Sequence, residues 1–322
     1  MLTGKELILA TKKYAVEDKA KSWFYVISTL ILASAAYIGA ALITNIPIRF
    51  VLGVLAGLIT IRMFVLYHDF EHHAILNKSF MGTVVFSAFG LLSLAPVSIW
   101  KRSHDYHHKH NSKLFSSSIG SYLIITREKF DSLSPAEQRQ YLLSRHPLVI
   151  LFGYFTMFFY GISMRSFLNN PRKHYDSLIA MIVHIALIVV VIYFLGWQAW
   201  LFSMFVPFFV SGCLGDYLFY AQHNFPTVKF HDNAEWAYEK AALESSSFMD
   251  MGPVMNWFTA NIGYHHIHHI NSRIPFYRLP EVMHDLPELQ HPKRTSLSLK
   301  DISACLKLKV WDPSKDRMVG VK

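Results

Sequence analysis

Long uncharged apolar runs alternate with short polar segments along this chain, and the alternation predicts its elements. Ser22 to Ile48 carries no charge and exceeds the roughly 20 residues that cross a bilayer as a helix. Asn45-Ile46-Pro47 is expected to turn the chain, because proline opposes helix continuation. Phe50 to Tyr67 forms a second span, with Arg62 about one turn from its end, where a long cationic side chain can reach the interface. Ser177 to Gly215 is uncharged with a break near Gly196-Trp197, the pattern of a helical hairpin. Two further runs, Phe80 to Trp100 and Pro147 to Met164, are apolar but less simply read. The second has basic flanks on both sides, Arg127, Lys129, Arg139 and Arg145 before it and Arg165, Arg172 and Lys173 after it, so it is expected to be peripheral.

The segment before the first span is basic (Lys5, Lys12, Lys13, Lys19, Lys21), which orients the N-terminus inward. The first apolar run is too long for the ~7–15-residue core of a cleaved signal peptide. Four crossings then return both termini to the cytoplasm. The expected architecture is an all-α integral membrane protein with four transmembrane helices plus interfacial or re-entrant helices. It is read as one membrane-embedded domain over residues 1–322, with cytoplasmic segments at 1–21 and 270–322. Trp236 and Trp257 are candidate interface anchors.

Composition supports this reading. Hydrophobic residues make up 52% of the 322 positions and charged ones only 16%, against roughly 25% charged in ordinary domains. The net charge of +9 follows from Lys and Arg in inward-facing loops and needs no nucleic-acid partner. Cys213 and Cys305 are too few for an iron–sulfur cluster, which usually takes about four thiolates, and no disulfide is expected between an apolar run and the tail.

The polar segments hold the chemistry. They read His68-Asp-Phe-Glu-His72-His73, His104-Asp-Tyr-His107-His108 and His265-His266-Ile-His268-His269, with Gln222-His223-Asn224 between the second and third. On a helix, positions i, i+3 and i+4 share a face, so His68 and His72 point together, as do His104, His107 and His108, and His265, His268 and His269. Neutral imidazole suits Fe, Cu, Zn and Ni. About three protein ligands suffice for one catalytic zinc, so nine histidines suggest two metals with positions left for oxygen or water. A shared site requires every cluster on one face. Phe80 to Trp100 is therefore expected to be re-entrant or interfacial, broken at Pro96. His73, His110 and His266 fall off the ligating faces, and His184 reads as a core histidine. Asp69, Asp105, Asp216 and Asn261 are candidates to hold the ligands through hydrogen bonds. Asn261 is on the helical face of His265, whereas Asp69 and Asp105 point away from their neighbours on an ideal helix. Glu71 is on a different helical face from His68 and His72, unlike the base of a zinc-peptidase motif.

Over roughly residues 20 to 310 the chain resembles the membrane fatty acid desaturase family. The residues that carry the resemblance are His68-Asp69-x-x-His72, His104-x-x-His107-His108, Gly263-Tyr264-His265-x-x-His268-His269, Tyr220-x-Gln222-His223-Asn224-Phe225 and Ile274-Pro275-Phe276-Tyr277-Arg278-Leu279-Pro280. The resemblance is to the bacterial acyl-lipid type rather than the longer animal acyl-CoA type. It implies an O2-dependent desaturase that introduces a cis double bond into a fatty acyl chain. It implies two non-haem irons with O2 as co-substrate, held by His68, His72, His104, His107, His108, His223, His265, His268 and His269, with no catalytic residue beyond the metal centre. It also implies a separate electron donor, such as a ferredoxin or a small cytochrome, and a multi-pass protein of a bacterial inner membrane with its site on the cytoplasmic face. A membrane di-iron hydroxylase or a carotenoid ketolase or hydroxylase is the alternative within the superfamily. A metal transporter fits less well, since it would put ligands near the bilayer midplane.

Overall fold

The computed structural model describes residues 2–114, 121–232 and 234–321. Four helices among them are long and apolar enough to cross a membrane: α1 (Lys19–Leu42), α2 (Ile46–Glu71), and the pair Tyr175–Leu195 and Trp197–Ala221. They form two hairpins, as the hydropathy pattern predicts. The first turn differs in detail from expectation. Asn45 accepts a bond from the Ile48 amide and caps α2, and Pro47 sits inside the helix's first turn. Proline is tolerated there because the amide it lacks would be unpaired anyway. The chain turns one step earlier, at Ile43–Asn45.

Between the hairpins lie α3 (Phe80–Leu92) and α4 (Val97–His110), bent by 94° at their break. The two are one interrupted element, as expected from Pro96. The break leaves two carbonyls without helical partners, and side chains satisfy both. Tyr67 Oη donates to the Ala95 carbonyl at 3.0 Å and Ser163 Oγ to that of Leu94, also at 3.0 Å. Irregular backbone at membrane depth persists only with such internal partners. The start of α4 is tied down as well. Asp176 accepts from the Ser98 amide at 3.1 Å and from its hydroxyl at 2.6 Å.

A wide-turn helix, α5 (Tyr154–Met164), follows and packs under the second hairpin, whose members are α6 (Tyr175–Leu195) and α7 (Trp197–Ala221). The apolar run 147–164 thus folds as short pieces, none of them among the four long spans. A short helix, α8 (Gly252–Phe258), precedes α9 (His265–Ile270), which carries the last histidine cluster. The tail adds two small sheets, a parallel pair between Phe248–Asp250 and Arg294–Ser296 and an antiparallel pair between Val310–Asp312 and Arg317–Val319.

Helices α2 and α7 approach closely because α2 is notched by Gly53 and Gly57. A Cβ at Gly53 would lie 2.5 Å from the Phe202 carbonyl oxygen, and one at Gly57 would lie 2.7 Å from that of Pro207. Small residues four apart permit this backbone approach in membranes. Gly53→Ala is expected to lower the thermal unfolding temperature in detergent, since overpacking of this kind costs about 1–3 kcal/mol.

Arg62 is buried in the protein rather than extended from its surface. It is 3% exposed; its guanidinium bonds Thr29 Oγ1 at 3.1 Å and the Trp257 carbonyl, and lies over the Trp257 ring at 4.4 Å. Its cationic group stays inside because α8 supplies both an acceptor and an aromatic face. Trp257 is half exposed beside it. Trp236 instead donates its indole N–H to the Asn111 carbonyl at 2.8 Å.

Candidate metal centre

All nine predicted histidines converge at one end of the helix bundle. They divide into two groups, in each of which one imidazole nitrogen per residue lies within 4.8 Å of the others: His68, His72, His104, His108 and His268 in one, His107, His223, His265 and His269 in the other. The division cuts across the helices. On α4 the i, i+4 pair His104 and His108 serves the first group and His107 the second. On α9 the pair His265 and His269 serves the second group and His268 the first. These two helices therefore contribute to both groups and lock them together, whereas α2 supplies His68 and His72 to the first alone.

Helix ends decide which neighbours stay out. His72 keeps helical angles as the cap of α2, whereas His73 turns to φ +60° and is exposed. His110 folds back onto Tyr106, with ring centroids 3.9 Å apart. His266 is buried but turns its Nε2 to the Leu289 carbonyl at 3.3 Å. His184 lies in the core against Tyr154 Oη at 2.6 Å.

The donor set fits metal binding. Nε2 atoms face each other at 3.1 Å between His104 and His108, 3.0 Å between His108 and His268, 2.9 Å between His223 and His265, and 3.1 Å between His265 and His269. A neutral imidazole has one N–H and one lone pair, so His108 and His265, each facing two such neighbours, cannot be satisfied by shared protons alone. A cation at each focus takes all the lone pairs. With metal–nitrogen bonds of about 2.0–2.1 Å, nitrogens at right angles around an ion lie about 3 Å apart. Burial, reinforced by neighbouring imidazoles, pushes His72, His104, His107, His108, His265, His268 and His269 well below the usual histidine range, and burial lowers His223 to about 4. Neutral imidazole is the ligating form.

Partners of the remote nitrogens set ring orientation. His223 donates from Nδ1 to the Ser245 carbonyl at 2.8 Å. Asp69 Oδ1 takes the Nδ1 proton of His68 at 3.2 Å, while its Oδ2 accepts from the Phe276 amide at 2.7 Å. An ideal helix would aim Asp69 elsewhere; here it bridges the first cluster to the segment after the third. Loss of such a partner costs roughly 10–100-fold in metal affinity, so Asp69→Ala is expected to lose metal to a chelator that leaves the parent loaded, and Asp69→Asn to lose less. The other three candidates do not touch the histidines. Asn261, in a left-handed turn, donates to the Phe276 carbonyl at 3.1 Å. Asp105 pairs with Lys101 at 3.7 Å, and Asp216 accepts from Tyr122 Oη at 2.6 Å. Lys101 also lies 3.9 Å from Glu71. One contact had no signal in the sequence: the buried Trp100 indole stacks on His104, centroids 5.1 Å apart and planes 11° apart.

An apolar cavity of about 850 Å³, its mouth included, opens on the two groups. Ile61, Phe64, Val65, Phe158 and Leu218 form its wall, and His68, His104, His107, His223 and His265 close one end. Its position between α2, α5 and α7 suits a long hydrocarbon. Cys213 and Cys305 are both free, and neither is among its lining residues.

The family model for fatty acid desaturases matches residues 44–298. A fatty acid desaturase of Bacillus subtilis (strain 168) is 30% identical over 83% of this chain and 75% of its own. The sn-1 oleoyl-lipid 12-desaturase of Anabaena variabilis is 22% identical over 82% of this chain and 75% of its own. The ferredoxin-type chloroplastic sn-2 acyl-lipid omega-3 desaturase of Arabidopsis thaliana is 24% identical over 83% of this chain and 61% of its own. With most of its length matched and its histidines gathered at the end of an apolar cavity, the chain belongs to the fatty acid desaturase family.

Proposed function

We propose that this protein desaturates a fatty acyl chain at two non-haem irons, using O2 and electrons from a separate carrier. The observation that carries the reading is the junction of two histidine groups with one apolar cavity. His68, His72, His104, His108 and His268 would hold one iron, and His107, His223, His265 and His269 the other. A non-haem iron pair supplies the redox chemistry for an unactivated C–H bond, which no side-chain acid or base can break. The chain's own residues do the rest. The wall of Phe64, Phe158 and Leu218 takes the hydrocarbon and excludes water. Entry of the methyl end first is required, because a polar headgroup buried in an apolar cavity would lose its hydrogen bonds. Asp69 and Ser245 hold two imidazoles with Nε2 turned inward.

The named relatives support lipid-bound acyl chains as the substrate class, and the ferredoxin-type relative supports a small iron–sulfur protein as the donor. The basic flanks of the spans support placing the histidine face and both termini in the cytoplasm. Expression in a host without the corresponding unsaturated lipid, followed by mass spectrometry of its fatty acids, tests the reading. A new cis double bond is expected. A hydroxylated chain, or unchanged lipids with iron-loaded protein and a competent donor, would overturn it.

A further inference from the structure

The histidine groups are open on a second side. A second cavity, about 430 Å³ with the open space at its mouth included, has a mixed lining: polar His107, Ser112, Tyr122 and His223, and apolar Ile124 and Phe230. Three residues, His107, His223 and Phe219, border both this cavity and the apolar one. Two of its lining residues, 6% and 1% exposed, each hold a buried polar atom with no protein partner: Ser112 Oγ and Asn224 Oδ1. Buried polar atoms are almost always satisfied, by ordered water where protein offers nothing. In the larger cavity the lining residues with such atoms are two histidines, His104 and His265, each at Nδ1; the rest of its wall is chiefly aromatic and aliphatic, and cavities of that character stay dry. Phe219 stands between them, on α7 one turn before His223. Its ring meets Phe64, Trp100 and Phe158 at centroid distances of 6.1, 5.4 and 6.3 Å.

We propose that the smaller cavity is a hydrated channel to the four-histidine group, and that Phe219 is the partition that keeps its water out of the acyl cavity. The need for such a channel rests on the desaturase reading. In that reaction two C–H bonds of the chain and the O–O bond break, one carbon–carbon π bond forms, and two waters are made. Two of their four hydrogens come from the chain. The other two arrive as protons with two electrons from the donor protein. Protons must therefore reach the site and water must leave it, and neither crosses a hydrocarbon-filled cavity readily. The channel is the route that ends on His107 and His223.

The test uses single cysteines in full-length protein lacking Cys213 and Cys305. Ser112→Cys places a thiol in the smaller cavity. Gly215→Cys places one in the apolar cavity, where a Cβ meets only the Phe158 ring edge at 3.4 Å. A negatively charged methanethiosulfonate is expected to label Ser112→Cys readily. It should label Gly215→Cys about tenfold more slowly or worse, since an unpaired charge enters an apolar space only at high cost. Adding Phe219→Ala to Gly215→Cys should restore fast labelling, and adding Phe219→Leu should not. Equal labelling of the two thiols in the parent, or no change with Phe219→Ala, would overturn the partition. In active membranes Phe219→Ala should also cut the double bonds formed per O2 consumed by about tenfold, as water reaches the reacting carbons. An unchanged ratio counts against the proposal. If the parent makes no unsaturated lipid, the desaturase reading fails, and the labelling pattern still decides whether the channel and its partition exist.

Discussion

Alanine at His68, His104, His223 or His268 is expected to abolish the unsaturated product while the protein still accumulates in membranes. Each supplies a nitrogen to one of the two groups, and even the loss of a residue that merely orients a ligand costs roughly 10–100-fold. His73→Ala and His184→Ala should keep measurable activity. The first is exposed beyond the end of α2, and the second bonds Tyr154 and belongs to neither group. Product per unit of membrane protein is the measurement. Should His73→Ala be as inactive as His68→Ala while His72→Ala remains active, the assignment of the first cluster is wrong.

The second large effect is in metal content. Protein purified after iron-replete growth should carry about two irons per chain by elemental analysis, as two separate imidazole-rich groups require. The groups differ in reserve, with five nitrogens in one and four in the other. His223→Ala or His269→Ala leaves the smaller group three donors, as few as a catalytic metal site carries, and should bring iron below two per chain. His72→Ala leaves four donors in the larger group, so it should retain more iron than His223→Ala while losing activity. A single zinc in the parent, with no activity regained on adding iron, would refute the di-iron reading. Equal iron loss in the two variants would refute the unequal reserve.

Much of this site was legible in the linear chain because helices impose short-range order. Uncharged length placed the four long spans, and the i, i+3, i+4 rule selected eight of the nine converging histidines and set aside His73, His110 and His266; His223 came from the Gln222-His223-Asn224 stretch that the resemblance picks out. The same rule failed where a helix ends or a partner comes from elsewhere. Asp69 reaches His68 despite its unfavourable phase, because the Phe276 amide draws the carboxylate across from a segment 207 residues away. Asn261 has the right phase for His265 but sits in a left-handed turn outside the helix. Arg62 looked like an interface residue until α8 brought it an acceptor.

What the sequence alone determined, then, was the set of spans, the presence of a histidine site at their ends and the family to which the pattern is similar. The spans follow from uncharged length, the histidine faces from spacing within a turn of one helix, and the similarity from motifs spread along the chain. Only the tertiary structure decided how nine histidines divide into groups of five and four, since the contacts that define them join His108 to His268 and His107 to His223, 160 and 116 residues apart. It also decided that Trp100 stacks on a histidine, that Gly53 and Gly57 admit α7, and that two cavities meet at Phe219. Local propensity reaches about one helical turn. Contacts between helices depend on which faces are buried together, and that is settled when the whole chain packs.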